Sequence, residues 1–505
     1  MIAINKNAYE FFKPWLSDLP SNLQQININN LCFDSREVQT GDAFVVIPSV
    51  AGKEAEYVKA AAANGASLII SEEDFSSILN VNNLQIANLT QVLGEIVHDV
   101  LGSACEKMTV LGITGTNGKS SISFYLAQLL NKLQKPCAVM GTLGYGGVES
   151  LHVTGMTTLP LEKLHLALQK MSQNHEAVAM EVSSHGLDQG RLAGVQFKGA
   201  IYSNLTRDHL DYHGDMASYG AAKAKLFNWP NLEFAIINAD DGFAQELARQ
   251  SNCDNIVSYG QSVNSQLLSG KEGSAHLSFS FEKIHSQGMT VSFTWQKQSQ
   301  LVDLPLYGEF NAYNVAAALA CALQMGFAFN DSIKALAAMK AVPGRMQQIT
   351  GSEFQPLVLV DYAHTPDALQ QALQAVKQHC PGYIHLVVGC GGDRDKGKRS
   401  LMGEIAQQFA DIVFITSDNP RSESPQKICE EMVAGLSAAD LRANRYQIQL
   451  DRKIAIQTAI NAAGPNDLVV IAGKGHEDYQ EINGKRTFFS DELVAKEALQ
   501  IGSQK

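Results

Sequence analysis

Residues 112–121 read GITGTNGKSS. They follow the apolar run Met108 to Leu111 and precede ISFYLAQLLNKLQ, in which Ile122, Leu126, Leu129, Leu130 and Leu133 fall on one helical stripe. A buried strand, a glycine turn and an amphipathic helix, in that order, begin a nucleotide-binding α/β unit. The common phosphate-loop spacing G-x-x-x-x-G-K-[ST] is not met, because Ile113 stands five positions before Gly118. The physical requirements are met all the same. Gly115 and Gly118 let backbone N–H groups crowd around phosphate oxygens, Lys119 supplies a point charge, Ser120 can ligate Mg²⁺, and the helix start adds its dipole. The bland alternative is an ordinary strand-to-helix turn with a solvated lysine.

Length and composition bound the rest. A chain of 505 residues is too long for one core and favours two to four domains, with three as the working number. A hydrophobic fraction of 45% fits a soluble globular protein, and no apolar run approaches the ~20 residues a membrane helix needs. The start, MIAINKNAYEFFKPWLSDLP, lacks the pattern of a secretory signal, so no membrane insertion and a cytoplasmic location are expected. Eight scattered cysteines without a C-x-x-C pair give neither a disulfide framework nor a zinc site. Cys390, in GCGGD, reads as a small packed residue rather than a reactive thiol. A net charge of -12 argues against nucleic-acid binding, so an anionic substrate must be held by local cationic pockets.

Along the chain, DSREVQTGD reads as a turn, AFVVIP as a strand, YVKAAAANGA as a helix ending at glycine and SLIIS as a strand, a small α/β domain ending near residue 106. Further strands are expected at AVAMEV and GAIYSNL. Residues 251–305 alternate apolar and polar side chains and read as antiparallel strands. Proline and glycine in AVPGRMQQI mark a second boundary. Beyond it, PLVLVD, YIHLVVG, ADIVFITSD and DLVVIAG predict a mostly parallel sheet whose strands empty into DYAHTPD, GCGGDRDKGKR, DNPRSE and GKGHED. Ligands bind outside the carboxyl ends of such strands, so these four loops are expected to converge on one cleft. INGKR reads as a hairpin turn. No internal repeat or low-complexity tract is evident.

TGTNGKS, a shorter variant of the phosphate loop, resembles the Mur ligase family. In chain order, DSREVQTGDAFV, AMEVSSHGLDQGR, SNLTRDHLDYHGD, AAKAKLF, GEFNAYNVAAA, PGRM, DYAHTPD, GCGGDRDKGKR, DNPR and AGKGHEDYQ are similar to that family's motifs, whereas residues 73–100 and 242–300 carry little of the likeness. The resemblance implies an α/β protein of three domains: an N-terminal UDP-substrate domain over 1–106, a central P-loop-type mononucleotide-binding domain over 107–342, and a C-terminal Rossmann-like domain over 343–505 that binds an incoming amino acid. It implies ATP-dependent amide formation. A carboxylate is a poor electrophile, and phosphorylating it yields an acyl phosphate that an amine can attack. Bringing a triphosphate to a carboxylate is an electrostatic problem for which Mg²⁺ is the usual solution. The implied partners are a UDP-N-acetylmuramoyl dipeptide and meso-diaminopimelate, and a monomer is expected.

Residue roles follow the motifs. The resemblance assigns Gly115, Thr116, Asn117, Gly118, Lys119, Ser120 and Ser121 to ATP, joined by Asn311, Arg345, Asp361 and His364 from across the cleft. Arg345 lies just past the second boundary, so hinge closure could deliver its charge. Ser120, Glu181 and His209 are the implied metal contacts, and Lys119, Glu181, His209 and Lys223 the catalytic set, with Lys223 carbamylated. Taken alone, His209 would be a hydrogen-bonding loop residue, Lys223 a solvated helix lysine easily confused with Lys225, and Asn311 a turn or cap residue. Ser35 and Arg36 are assigned to the UDP end, Thr157, Thr158, Ser183, Gln189 and Arg191 to the sugar-peptide. Arg191 suits a carboxylate or diphosphate, whereas Ser35 and Arg36 alone would be a surface turn.

Meso-diaminopimelate carries a second carboxylate that lysine lacks, and Arg421 in DNPR supplies the guanidinium to hold it. The alternative for Arg421 is an ion pair with Glu423 at a helix start. Asp418, Asn419, Pro420, Arg394, the Gly473 backbone and Glu477 complete the implied amino-acid pocket, with Glu477 drawing the distal ammonium. L-lysine as the amine, or a folylpolyglutamate synthetase-like reaction, is the alternative within the same chemistry. A switch or transport ATPase leaves DNPR and GKGHED unexplained.

Overall fold

Strand Thr109–Thr114 is buried from its second residue on, and its side chains alternate between two cores. Leu111 and Ile113 pack beneath helices Lys119–Lys132 and Glu309–Gln324, whereas Val110 faces helix Leu161–Met171. Covered on both faces, a strand reads as a continuous apolar run rather than an alternating one. In the computed structural model, which describes residues 1–47, 52–76, 81–261, 275–352, 354–436 and 445–500, this strand lies parallel to and between Ala177–Glu181 and Phe197–Tyr202 in an 11-stranded sheet. Their carboxyl ends, followed by TGTNGK, VSSHG and SNLTRD, point to one edge.

The same sheet corrects one expectation. Ala275–His285, Gly288–Trp295 and Gln298–Leu304 form the antiparallel meander expected of residues 251–305, but Ile256–Gly260 pairs in parallel with Phe234–Asn238. All five of its residues are buried, so it extends the doubly covered sheet, and only the strands beyond it expose a polar face. Residues 262–274 of that stretch, and Pro48 at the end of AFVVIP, lie outside the described residues.

A six-stranded sheet follows in the order Gln347–Ile349, Leu357–Asp361, Leu468–Ala472, Ile384–Val388, Ile412–Ile415, Tyr446–Ile448, parallel except for the first pair. Its two faces carry separate cores. Strands Tyr479–Ile482 and Lys485–Phe488 meet through Asn483 and Gly484, both at positive φ (50° and 73°), as a two-residue hairpin turn requires. A five-stranded sheet, Ile2–Asn7 to Asn82–Gln85, precedes the central one. It is seated on the central part through helix Leu89–Val100, where a Cβ on Gly94 would strike the Ala193 backbone and one on Gly194 the Gly94 backbone. Leu161 and Ala193 belong to the same core as Leu93 and Ile96. No helix among the described residues is long and apolar enough to cross a membrane.

Candidate active site

The glycine turn is held from two sides. The Thr116 N–H donates to the Asn204 carbonyl at 2.8 Å, the Asn117 N–H to Asn204 Oδ1 at 2.9 Å, and the Ser203 hydroxyl to the Asn117 carbonyl at 2.6 Å. Gly115 (φ 146°) has no room for a Cβ, which would collide with the Ser203 hydroxyl, and Gly118 (φ 88°) packs on Asn314 Oδ1. Lys119 Nζ folds back onto the carbonyls of Gly115 at 2.9 Å and Thr116 at 2.8 Å. Burial lowers its pKa, Glu181 acts against this, and Arg345 lowers it further. Two cations on opposite parts of the chain therefore share one field.

They also share one cavity of about 480 Å³, with Lys119 and Arg345 on its wall. Thr116, Asn117, Gly118, Ser120, Ser121, Thr157, Glu181 and Asp361 line it as well. The Glu181 carboxylate is almost fully buried and accepts from the Thr142 N–H at 3.0 Å and the Thr142 hydroxyl at 3.1 Å, while Thr157 Oγ1 lies 3.0 Å from Thr142 Oγ1. Arg345 stacks on the Tyr362 ring at 4.8 Å, and its buried Nε has no hydrogen-bond partner among the described residues. Such a group is costly unless something anionic enters beside it. Asp361 is pinned by the N–H groups of Met346 and Ala363, each at 2.8 Å, and burial raises its carboxyl against the pull of Arg345.

Not every implied residue reaches this wall. Asn311 is buried beneath it, donating to the Tyr307 carbonyl at 2.8 Å and accepting from the Tyr125 hydroxyl at 3.0 Å. The lining residue is Asn314, one helical turn on. His364 is exposed and is absent from the lining. His209, half-exposed at φ 52°, is likewise off the wall, its ring against His185. Lys223 sits behind the turn: it is 1% exposed, donates to the Gly115 carbonyl at 2.9 Å and lies over the Tyr219 ring. Burial, with Lys119 as the second cause, lowers its pKa to about 6. Lys225 is a surface residue paired with Asp188, which removes the ambiguity between the two lysines.

Beside Thr157 a second network assembles. Thr158 Oγ1 accepts from the Ser183 N–H at 3.0 Å, the Arg191 guanidinium donates to the Thr158 carbonyl at 2.9 Å and to Gln189 Oε1 at 2.8 Å, and Ser183 caps helix Ser184–Asp188. Ser35 is buried, whereas Arg36 is 86% exposed and paired with Asp34 at 2.6 Å. Arg36 holds the Asp34 carboxyl down to about 2, and Lys163 contributes.

The residues that the resemblance assigns to the amino acid form a separate, adjoining cluster that does not line the 480 Å³ cavity. It is joined to it by the Gly473 N–H donating to the Asp361 carbonyl at 3.1 Å and by His476 against Tyr362. The GCGGDRD and DNPRSE loops are knit together: the Gly392 N–H donates to the Asn419 carbonyl, and buried Arg399 clamps Glu423 at 2.9 and 3.0 Å and Glu431 at 2.6 Å. Glu423 is therefore not the partner of Arg421. Instead Arg421, at φ 50°, donates from Nη1 to the Gly392 carbonyl at 2.7 Å, while its backbone pairs with Glu481 and Asn483 of the hairpin. Asp418 and Asn419 are buried, as is Pro420, and Arg394 is exposed. The Asn419 Nδ2 donates to Glu477 Oε2 at 2.9 Å. Burial raises the Cys390 thiol to about 12, so it is a packed residue.

Thr142, Asn314 and Lys474 escaped the sequence reading. Thr142 follows the carboxyl end of strand Cys137–Gly141, so the rule that ligands gather there could have found it. Asn314 shares a helix with Asn311, and nothing in GEFNAYN says which faces out.

An α/β phosphate loop facing a second sheet's arginine across a cavity defines a nucleotide-using architecture, and comparison with known proteins makes it specific. Residues 113–322 match the Mur ligase middle domain and residues 344–475 the Mur ligase glutamate ligase domain. The chain belongs to the Mur ligase family. It is 40% identical over 485 residues, 95% of this chain and 97% of the relative, to the UDP-N-acetylmuramoyl-L-alanyl-D-glutamate–2,6-diaminopimelate ligase of Ectopseudomonas mendocina (strain ymp). It is 41% identical over 491 residues to the ligase of the same name in Chromobacterium violaceum, covering 95% and 96% of the two chains. A solved structure of a ligase of that name superposes with a TM-score of 0.73 at 36% identity, covering 99% of this chain and 100% of the other.

Proposed function

We propose that this chain joins meso-diaminopimelate to UDP-N-acetylmuramoyl-L-alanyl-D-glutamate at the expense of ATP, through an acyl phosphate, in cytoplasmic peptidoglycan precursor synthesis. The observation that carries the reading is the cavity shared by Lys119, Glu181 and Arg345. The N–H groups at the start of helix Lys119–Lys132 cradle the phosphates, those of Thr116 and Asn117 being held by Asn204. Lys119 and Arg345 neutralise charge on the transferred phosphoryl group from two sides, so that a carboxylate can approach it. The ATP carbon–oxygen framework is untouched: the substrate carboxylate oxygen displaces ADP from the γ-phosphorus, and the amine then displaces phosphate from the acyl carbon.

The donor set fits Mg²⁺, which takes hard oxygen ligands and few protein groups. Ser120 and Glu181 would hold it, with the charge neutralisation it supplies adding to that of the two cations. Lys223, largely neutral at physiological pH in its buried site, is in the form that reacts with CO₂, which supports its carbamylation. Thr157, Thr158, Ser183, Gln189 and Arg191 hold the sugar-peptide, Ser35 and Arg36 the uridine end, and Arg421 the distal carboxylate. The names of the relatives favour diaminopimelate over L-lysine.

Phosphate release with the UDP-dipeptide present, with and without meso-diaminopimelate or L-lysine, tests the reading. Release that depends on diaminopimelate is expected. Equal release without any amino acid overturns it.

A further inference from the structure

Behind Arg421 and Glu477 lies a lysine to which no role has been given. Lys474, the second residue of the GKGHED loop, is 0% exposed. Its Nζ lies 3.2 Å from Asn419 Oδ1, 3.2 Å from Glu477 Oε2 and 3.7 Å from Asp418 Oδ1, and 5.3 Å from the centroid of the Tyr479 ring. Every one of these partners belongs to the pocket cluster or the hairpin that borders it. A buried ammonium with this many acceptors is fixed in place rather than solvated.

The consequence for Asn419 is geometric. Its Oδ1 accepts from Lys474 and, at 2.9 Å, from the Glu481 N–H, so its Nδ2 must point at Glu477 Oε2. The flipped amide would set NH₂ against an ammonium and an N–H, and oxygen against a carboxylate. The consequence for Glu477 is electrostatic. Without the ammonium, two carboxylates would face each other around one buried amide, and Glu477 would turn toward solvent.

We infer that Lys474 is the positioning residue of the amino-acid pocket: it fixes the Asn419 amide and holds Glu477 by one oxygen, so that the other is presented to the ammonium of the incoming diamino acid. The role rests on the ligase reading given above. It involves no contact with ATP or with the UDP-sugar.

Steady-state kinetics of Lys474→Met against the unaltered protein, varying each of the three substrates in turn, decide the matter. The KM for meso-diaminopimelate is expected to rise about thirtyfold or more, as for breaking a buried charge pair, with the KM for ATP and for the UDP-dipeptide unchanged within about twofold. Lys474→Gln, which keeps a donor but not the charge, should fall between the two. Unaltered protein that forms no product with meso-diaminopimelate overturns the ligase reading and this role together. An active unaltered protein with a Met variant of unchanged diaminopimelate KM, or with all three KM values raised alike, overturns this role alone. Loss of the fold in both variants also overturns it, because Lys474 would then be a residue of the core.

Discussion

Lys119 and Lys223 donate to the same acceptor, the carbonyl oxygen of Gly115, each at 2.9 Å. One arrives from the helix that the glycine turn opens, the other from helix Met216–Ala224 behind it. Burial disfavours an ammonium at Lys223, and repulsion from the Lys119 ammonium on the same carbonyl adds to the cost. The Lys223 pKa is thereby lowered to about 6, so Lys223 gives up its proton near neutral pH.

That shift makes stability depend on pH. The unfolded chain keeps Lys223 protonated up to about its ordinary 10.5, whereas the folded protein releases the proton above about 6. Between these values the unfolded state binds more protons, so this group makes stability rise with pH, by at most roughly 1.4 kcal/mol per unit, and its effect is constant below the folded value. In CO₂-free buffer, the unfolding free energy of the unaltered protein minus that of Lys223→Met should climb between about pH 6.5 and about pH 9. A flat difference would refute the neutral lysine. In ¹³C-bicarbonate, a carbamate carbon signal should appear and be lost in the Met variant.

Gly115→Ala should damage nucleotide binding more than Gly118→Ala. At Gly115 a methyl meets the Ser203 hydroxyl, itself locked onto the Asn117 carbonyl, at φ 146°. At Gly118 the obstacle is the Asn314 side chain alone, with no backbone atom close, whereas at Gly115 the Asn204 backbone also stands in the way. Costs of about 1 to 3 kcal/mol per strained site correspond to a rise in the ATP KM on the order of tenfold for Gly118→Ala and a larger one for Gly115→Ala. Equal effects, or the reverse order, in the ATP KM would contradict this packing.

Arg421→Ala should raise the KM for meso-diaminopimelate by the equivalent of about 2 to 5 kcal/mol, as for losing a buried charge-assisted pair, with the UDP-dipeptide KM nearly unchanged. Its guanidinium is engaged by the Gly392 carbonyl and leaves Glu423 to Arg399, so among the described residues it forms no close ion pair with a carboxylate. An unchanged diaminopimelate KM removes this arginine from the pocket.

The parts of the site legible in the sequence were those in which one local motif does one job. The glycine turn could be read because its strand and its helix lie within some twenty-five consecutive residues, whereas the residues that crowd its glycines, Ser203, Asn204 and Asn314, do not. The parallel C-terminal strands could be read because burial on both faces leaves a continuous apolar run. What could not be read depends on partners far away in the chain. Choosing Asn314 over Asn311 requires knowing that Tyr125, 186 positions distant from Asn311, already holds Asn311. That Glu423 pairs with Arg399 rather than with Arg421 depends on how two loops close on each other. Lys474 looks like one more loop lysine until Asn419, 55 positions away, lies against it.

The carboxyl end of the strand that leads to Gly473 rests on a buried ion pair. Arg452 and Asp491 are both 0% exposed, with Arg452 Nε and Nη2 each 2.7 Å from the carboxylate and Nη2 a further 3.0 Å from the Ala472 carbonyl. Removing one partner leaves an uncompensated charge in the core, so Arg452→Met should destabilise the protein by about 3 to 5 kcal/mol, measured by denaturant unfolding. Replacing both, as Arg452→Met with Asp491→Leu, should recover most of that loss, because the attraction between buried charges is largely offset by their desolvation. The Ala472 carbonyl would still lack its donor in the double variant, and the diaminopimelate KM should stay raised even as stability returns. A double variant no more stable than Arg452→Met would mean that the pair contributes more than its desolvation costs.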